Sequence, residues 1–271
     1  MRASAPAKIN LALVVGPKRP DDKHEVVTVY QRLGIADRIE LEPSAELRVY
    51  GFTGDTLVRA ALEALAARAG IELGWQVTIE KRLPVAAGIG GGSSDAATAL
   101  RLANATLPEP LPESDLRELA AGLGADVPFF LLDGPQLGTG DGGELAPLGL
   151  PQDFWVLLLV PHGAVKPSTA AVYADFDRRD GAAGFDERRA ALLAALDGVR
   201  RPRDLAALPP NDLASSPLAG ELLALGAFRA DVTGAGPAVY GLFHHKDAAK
   251  AARRALKRAG ESWLTAPAWY G

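Results

Sequence analysis

The chain has 271 residues, enough for one large or two modest domains with a substantial buried core. Hydrophobic residues make up 48% and charged residues 23%, which excludes disorder as a description of the whole chain, and 29 Gly with 20 Pro imply many turns without low complexity. A net charge of -4 supplies no global positive field, so nucleic acid is not an expected partner; zero Cys removes disulfides, thiolate nucleophiles and cysteine metal sites together.

The first 52 residues read as strand-like pieces over 8–15, 26–33, 38–42 and 47–52, rich in Val, Ile, Leu and Tyr, with turn residues between. A helix follows over 55–69, where Leu57, Ala61, Leu65 and Ala69 recur near a helical period and Gly70 is a stop. A strand through Val77 and Ile79 leads by Leu83-Pro84 into the glycine cluster Gly88-Ile89-Gly90-Gly91-Gly92, and 96–105 reads as a helix behind it. A helix over 114–123 ends at Gly124, and 125–132 reads as an apolar strand. A glycine-rich stretch, 134–143, precedes an expected boundary near 147–151, which divides the chain into domains 1–149 and 150–271. The second half is expected to hold a strand over 154–160, helices near 169–176, 187–196 and 213–225, strands 228–232 and 238–243, a helix 247–259 and a closing strand near Trp263. Strands mixed with helices without strict alternation favour the α+β class. The longest apolar run, 154–161, is far short of the roughly 20 residues that cross a bilayer, and the stretch 9–15 is interrupted by Asn10, so no membrane association and a soluble, cytoplasmic protein are expected.

The segment Pro84-Val85-Ala86-Ala87-Gly88-Ile89-Gly90-Gly91-Gly92-Ser93-Ser94 is the strongest chemical signal. Its glycines let backbone N–H groups approach an anion, the following helix adds its positive dipole end, and the two hydroxyls can donate to phosphate or ligate Mg²⁺. Read blandly, it is a flexible loop with Ser93 or Ser94 as N-cap. No Gly-Lys-Ser/Thr follows, so it is not the common P-loop, and Ser93 stands where a dinucleotide fingerprint needs its third glycine. Asp126, between a helix and an apolar run, reads either as an Asx turn or as a carboxylate that accepts a proton from a substrate hydroxyl. Lys8 within an apolar strand either snorkels at an edge or meets a carboxylate or phosphate, and Asn10 shares its face by the period of two. Thr233-Gly234-Ala235-Gly236-Pro237 joins two strands as a tight turn. His24 follows a polar loop where a solvated ring is the default; four scattered histidines give no transition-metal site, and the basic stretch from Lys246 to Arg258 fits a solvated helix face.

Pro6-Ala7-Lys8-Ile9-Asn10-Leu11, the stretch from Pro84 to Ala97, and Thr233-Gly234-Ala235-Gly236-Pro237 resemble, in order and spacing, the three motifs of the GHMP small-molecule kinases. Gly91-Gly92-Ser93-Ser94-Asp95-Ala96-Ala97 and Gly124-Ala125-Asp126-Val127-Pro128-Phe129-Phe130 are similar to the branch of that superfamily whose acceptor is a cytidine-diphosphate-linked methylerythritol of the non-mevalonate isoprenoid route. The resemblance implies a two-domain GHMP kinase fold, with an N-terminal ribosomal-protein-S5-domain-2-like α/β domain, a C-terminal ferredoxin-like domain, and the substrate in the cleft between them. It implies Asp126 as the base that deprotonates the 2-hydroxyl, Lys8 as the cation that orients it, and Pro84 to Ser94 on the phosphates of ATP, which is expected mainly as Mg-ATP. It also implies Asn10, Gly234 and Gly236 on the acceptor, with Tyr173 stacking on cytosine and His24 hydrogen-bonding the base. Another acceptor of the superfamily, homoserine, mevalonate or a sugar, is the alternative. Three departures stand out: Lys23 where the family has an aromatic on cytosine's other face, Thr56 where an asparagine is frequent near adenine, and Ala235 and Pro237 in place of serines.

Overall fold

The computed structural model describes residues 1–72, 74–164 and 168–268. In chain order these form β1 (Arg2–Lys18), β2 (His24–Ser44), β3 (Arg48–Tyr50), α1 (Leu57–Ala69), β4 (Gly74–Glu80), α2 (Gly91–Asn104) and α3 (Glu113–Leu123). Then come a 3₁₀ helix Pro128–Leu131, β5 (Gln136–Thr139), β6 (Glu144–Pro147), β7 (Trp155–Pro161), α4 (Thr169–Arg178) and α5 (Phe185–Asp197). A second 3₁₀ helix Pro202–Ala207, α6 (Pro217–Ala224), β8 (Arg229–Val232), β9 (Val239–Phe243), α7 (Lys246–Ala255) and β10 (Gly260–Thr265) complete the chain. The segment 165–167, which precedes the expected helix carrying Tyr173, lies outside the described residues.

Two compact units divide these elements: one comprises Met1–Ala7, Ile35–Val85 and Gly90–Asp133, the other Lys8–Gly34, Ala86–Ile89 and Gly134–Gly271. In the first, β2 pairs antiparallel with β4 from Arg38↔Glu80 to Ser44↔Gly74, and β3 lies parallel to β4. Along β4, Trp75, Val77 and Ile79 are buried while Thr78 and Glu80 are exposed, the alternation of a sheet with one wet face. Helix α1 packs on α2 and α3, and Gly70 ends α1 in the left-handed conformation at φ 64°, as the sequence predicts.

In the second unit the sheet order is β10-β7-β9-β8, antiparallel throughout. β7 is central and correspondingly apolar, and Leu157, Leu159, Val239 and Phe243 pack with Leu222 of α6 and with Ala249 and Ala252 of α7. The lysines and arginines of α7 stay exposed, as expected of a solvated face. Helices segregated onto an antiparallel sheet confirm the α+β class.

Several local expectations are corrected. The residues 125–132 form a turn and a 3₁₀ helix rather than a strand, with i→i+3 bonds from Phe130 N–H to Val127 O (3.1 Å) and from Leu132 N–H to Phe129 O (3.2 Å). Pro128, with fixed φ and no N–H, starts that helix and would break a ladder. The strands expected over 26–33 and 38–42 are one strand, β2, because Asp37 is absorbed by backbone donors: its Oδ1 accepts the N–H groups of Arg82 and Leu83. The glycine-rich 134–143 contains β5, whose pairing with β6 closes at Thr139↔Glu144 around a turn with positive φ at Gly140 and Gly142. Helix α2 starts at Gly91 rather than 96, and α6 starts at Pro217 rather than 213, where Ser216 caps Leu218 N–H at 3.3 Å and the proline prevents backward extension.

Candidate active site

In the second unit, β1 brings Lys8 and Asn10 to one face, both buried. Lys8 does not snorkel. Its Nζ donates to Asn10 Oδ1 at 2.7 Å and lies 5.4 Å from the centroid of the Tyr30 ring. Asn10 Nδ2 donates to Thr28 Oγ1 at 2.7 Å, and Thr28 in turn donates to Ala12 O. The amide oxygen of Asn10 accepts from Lys8 and, at 3.3 Å, from the Thr233 hydroxyl, and one of its two amide N–H groups makes no hydrogen bond among the described residues.

Two glycine turns lock onto this strand. Asn10 N–H donates to Thr233 Oγ1 at 3.0 Å, and Lys8 N–H donates to Ile89 O at 2.9 Å. Ala238 N–H reaches Ala87 O at 3.1 Å, so the segments 86–89 and 233–238 are joined to each other as well as to β1. Gly88 has φ +82°, and a Cβ there would lie 2.6 Å from Thr233 O and 2.8 Å from Gly236 O, which only glycine avoids. At Gly234, φ +56°, a Cβ would lie 3.6 Å from both Asn10 Oδ1 and Lys8 Nζ. The tight turn expected over 233–237 is therefore present, with its backbone beside the lysine.

In the first unit, the glycine segment continues through Gly90, left-handed at φ 71°, into α2. Among the described residues no side chain caps that helix, leaving its first N–H groups open for an anion, and the buried Ser94 hydroxyl has no hydrogen-bond partner. Next to it, Asp95 Oδ2 accepts from Lys81 Nζ at 2.8 Å, Lys81 also donates to the buried Asp37, and Asp95 Oδ1 is without a partner among the described residues. Burial, together with the neighbouring Asp37 charge and against the pull of Lys81, pushes the Asp95 carboxyl up to about 7. Asp126, half-buried, follows Gly124 in the turn before the 3₁₀ helix, where Val127 N–H bonds Gly124 O at 3.1 Å. Among the described residues no group of three or more His, Asp or Glu side chains is placed to hold a metal ion.

His24 is buried rather than solvated, in the second unit. Its ring lies on Tyr173 of α4, centroids 4.7 Å apart, and edge-on to Phe176. Nε2 sits 2.7 Å from Asp177 Oδ1, so it carries the proton that the carboxylate accepts. That hydrogen bond holds the Asp177 carboxyl below its ordinary value, with Lys18 3.7 Å away adding to the effect. Lys23 forms an ion pair with Asp141. Thr56 precedes α1 without capping it; Asp55 instead accepts the N–H groups of Val58 and Arg59.

Sequence reasoning missed Asn211, Asp177 and the group Asp37, Lys81 and Asp95. A polar pair directly after Pro209-Pro210, in a chain whose other Asn-Asp dipeptides are absent, was the available signal for Asn211 and Asp212.

Comparison with known proteins matches this organisation. The family model described as GHMP kinases N terminal domain covers residues 56–134, and the one described as GHMP kinases C terminal covers 205–262. By fold and by these matches, the class is that of the GHMP kinases, as the three motifs lead one to expect. A protein of Geobacter sulfurreducens named 4-diphosphocytidyl-2-C-methyl-D-erythritol kinase is 37% identical over 280 residues, covering 97% of this chain and 96% of its own length. One of Syntrophotalea carbinolica with the same name is 39% identical over 276 residues, covering 93% and 92%. The chain belongs to that family of kinases. A crystal structure of a 4-(cytidine 5'-diphospho)-2C-methyl-D-erythritol kinase superposes with TM-score 0.79 at 34% identity, covering 100% of both chains. The mevalonate kinase of Methanococcus jannaschii shares the fold, with TM-score 0.75 at 12% identity over 100% of this chain and 98% of its own.

Proposed function

We propose that this protein transfers the γ-phosphoryl group of ATP to the 2-hydroxyl of 4-diphosphocytidyl-2-C-methyl-D-erythritol, in the non-mevalonate route to isoprenoid precursors. The observation that carries the reading is the likeness, along nearly the whole chain, to kinases of that name. The small-molecule acceptor, Mg²⁺, a cytoplasmic setting and functional halves at 1–149 and 150–271 belong to the same reading.

Each residue has a task that phosphoryl transfer requires. Asp126 accepts the proton of the 2-hydroxyl as its oxygen bonds to phosphorus and the bond from phosphorus to the departing diphosphate oxygen breaks. Lys8, held by Asn10, is a fixed cation that eases charge on the attacking oxygen and orients the base; because its amine is already buried and hydrogen-bonded, little reorganisation is left for the reaction. The segment Pro84–Ser94 serves the phosphates. The uncapped start of α2 and the unpartnered Ser94 hydroxyl fit an anion there, since the first N–H groups of the helix have no intrahelical acceptor and the buried hydroxyl stays unsatisfied until one is bound. ATP would supply the activated phosphoryl group, and Mg²⁺ bound with it would neutralise the charge on the phosphates. Gly234 and Gly236 approach the acceptor with backbone, and Asn10 meets the erythritol portion with its remaining N–H. Tyr173 and His24 recognise the cytosine.

The test is ADP release by the purified protein with Mg-ATP and 4-diphosphocytidyl-2-C-methyl-D-erythritol, beside mevalonate, homoserine and galactose. Turnover on the cytidyl substrate alone is expected. Turnover only on another alcohol overturns the acceptor, and silence on all four overturns the kinase reading.

A further inference from the structure

Asn211 stands between the second 3₁₀ helix and α6, 9% exposed, and every polar group of its side chain is spent on backbone. Its Nδ2 donates to Val232 O at 3.0 Å and to Gly234 O at 2.7 Å, and its Oδ1 accepts Leu213 N–H at 2.8 Å. Its own N–H donates to Asp231 Oδ2 at 2.9 Å. One amide thus grips the two carbonyls that flank Thr233, the residue whose hydroxyl holds Asn10. In a trans peptide the carbonyl and the following N–H point in opposite directions. With Gly234 O turned to Asn211, the Ala235 N–H is turned away from it and makes no hydrogen bond among the described residues. The turn is closed behind it by Gly236 N–H to Thr233 O at 3.0 Å.

We infer that Asn211 is a positioning residue: by fixing the Gly234 carbonyl it holds the Ala235 N–H as a preset donor for an anionic oxygen of the acceptor, beside Lys8. The inference rests on the kinase reading above. Its neighbour supplies the contrast, because Asp212 is spent on structure alone: its Oδ2 accepts Val15 N–H at 2.9 Å and Arg188 Nε–H at 3.1 Å, and its N–H donates to Leu13 O. A Ser at 211 is too short to reach both carbonyls, and an Asp has no donor for either.

The experiment compares Asn211→Ser, Asn211→Asp and Asp212→Asn with wild type for kcat, KM of each substrate and Tm. Both Asn211 variants should lose about a hundredfold in kcat/KM for the acceptor, the scale of a small misplacement, with KM for ATP changed by less than about twofold. Asp212→Asn should lower Tm without that split. Amide spectra of the wild-type chain add a measurement that needs no variant: the Ala235 N–H resonance should shift downfield when acceptor binds. An unmoved Ala235 resonance, or Asn211 variants that lose Tm while kcat/KM for the acceptor stays near wild type, would overturn the inference. Wild-type turnover scores the acceptor assignment separately, since the Asn211 comparison uses whichever alcohol the wild type phosphorylates.

Discussion

Replacing Gly88 with Ala tests the joint between the two glycine turns. The added Cβ would sit 2.6 Å from Thr233 O, and to reach the 3.4 Å of an ordinary contact the turns must part by about 0.8 Å. The neighbour is backbone rather than a flexible side-chain end, so no rotamer change relieves it. A left-handed φ of +82° adds its own penalty of about 1–2 kcal/mol for a residue with a Cβ, and overpacking adds about 1–3, for a total near 2–5 kcal/mol. The displacement does not stay local: Thr233 Oγ1 holds Asn10 N–H, and Asn10 Oδ1 holds Lys8 Nζ. Urea unfolding should show the loss of stability, and ADP-release kinetics should show a fall in kcat of about a hundredfold from a shift approaching 1 Å. Gly122→Ala is the control, because among the described residues nothing lies within 4 Å of its Cβ position inside α3, and it should stabilise slightly. A Gly88→Ala protein with wild-type stability would refute the packing argument. One that is destabilised yet turns over normally would refute the route from the turns to Lys8.

Three further outcomes are expected. Asp126→Asn should keep the fold and ATP binding while kcat falls by about 10²–10⁴, the usual worth of a general base; near-wild-type turnover would remove Asp126 from that role. For Asp95, the unfolded carboxyl ionises near its ordinary value while the folded one holds its proton up to about 7, so the native state carries the extra proton in between. Stability should therefore fall as pH rises from about 4 to 7, and Asp95→Asn should flatten that slope; parallel denaturation curves for the two proteins between pH 5 and 8 would contradict it. Asp177→Asn leaves the His24 ring without its carboxylate, and KM for the cytidyl substrate should rise several-fold with kcat retained, which steady-state kinetics on both substrates would check.

What the sequence made legible was what a few adjacent residues decide. The turn over 233–237 and the glycine segment before α2 were readable because positive φ at Gly88, Gly90, Gly234 and Gly236 is a local demand that glycine announces. The strand expected over 125–132 failed for the opposite reason: the apolar residues 127–132 satisfy either a strand or a buried turn, and Pro128 settles it in favour of the turn. Partners distant in the chain left no trace. Lys81 finds Asp37 from 44 residues away and His24 finds Asp177 from 153, and no spacing rule joins such pairs.

Lys23 shows how this affects the reading of a departure from a family pattern. In the sequence it is a missing aromatic with a cation in its place, inviting a lysine set over the cytosine ring. In the fold its amine is taken by Asp141, in the turn between β5 and β6, while the aromatic surface nearby comes from Tyr173 and Phe176 of α4, against which the ring of His24 packs. An ion pair on the surface contributes little stability, so neutralising Lys23 should leave the fold unchanged. The recognition of the base proposed for His24 and Tyr173, with Asp177 holding the His24 ring, therefore does not call on Lys23.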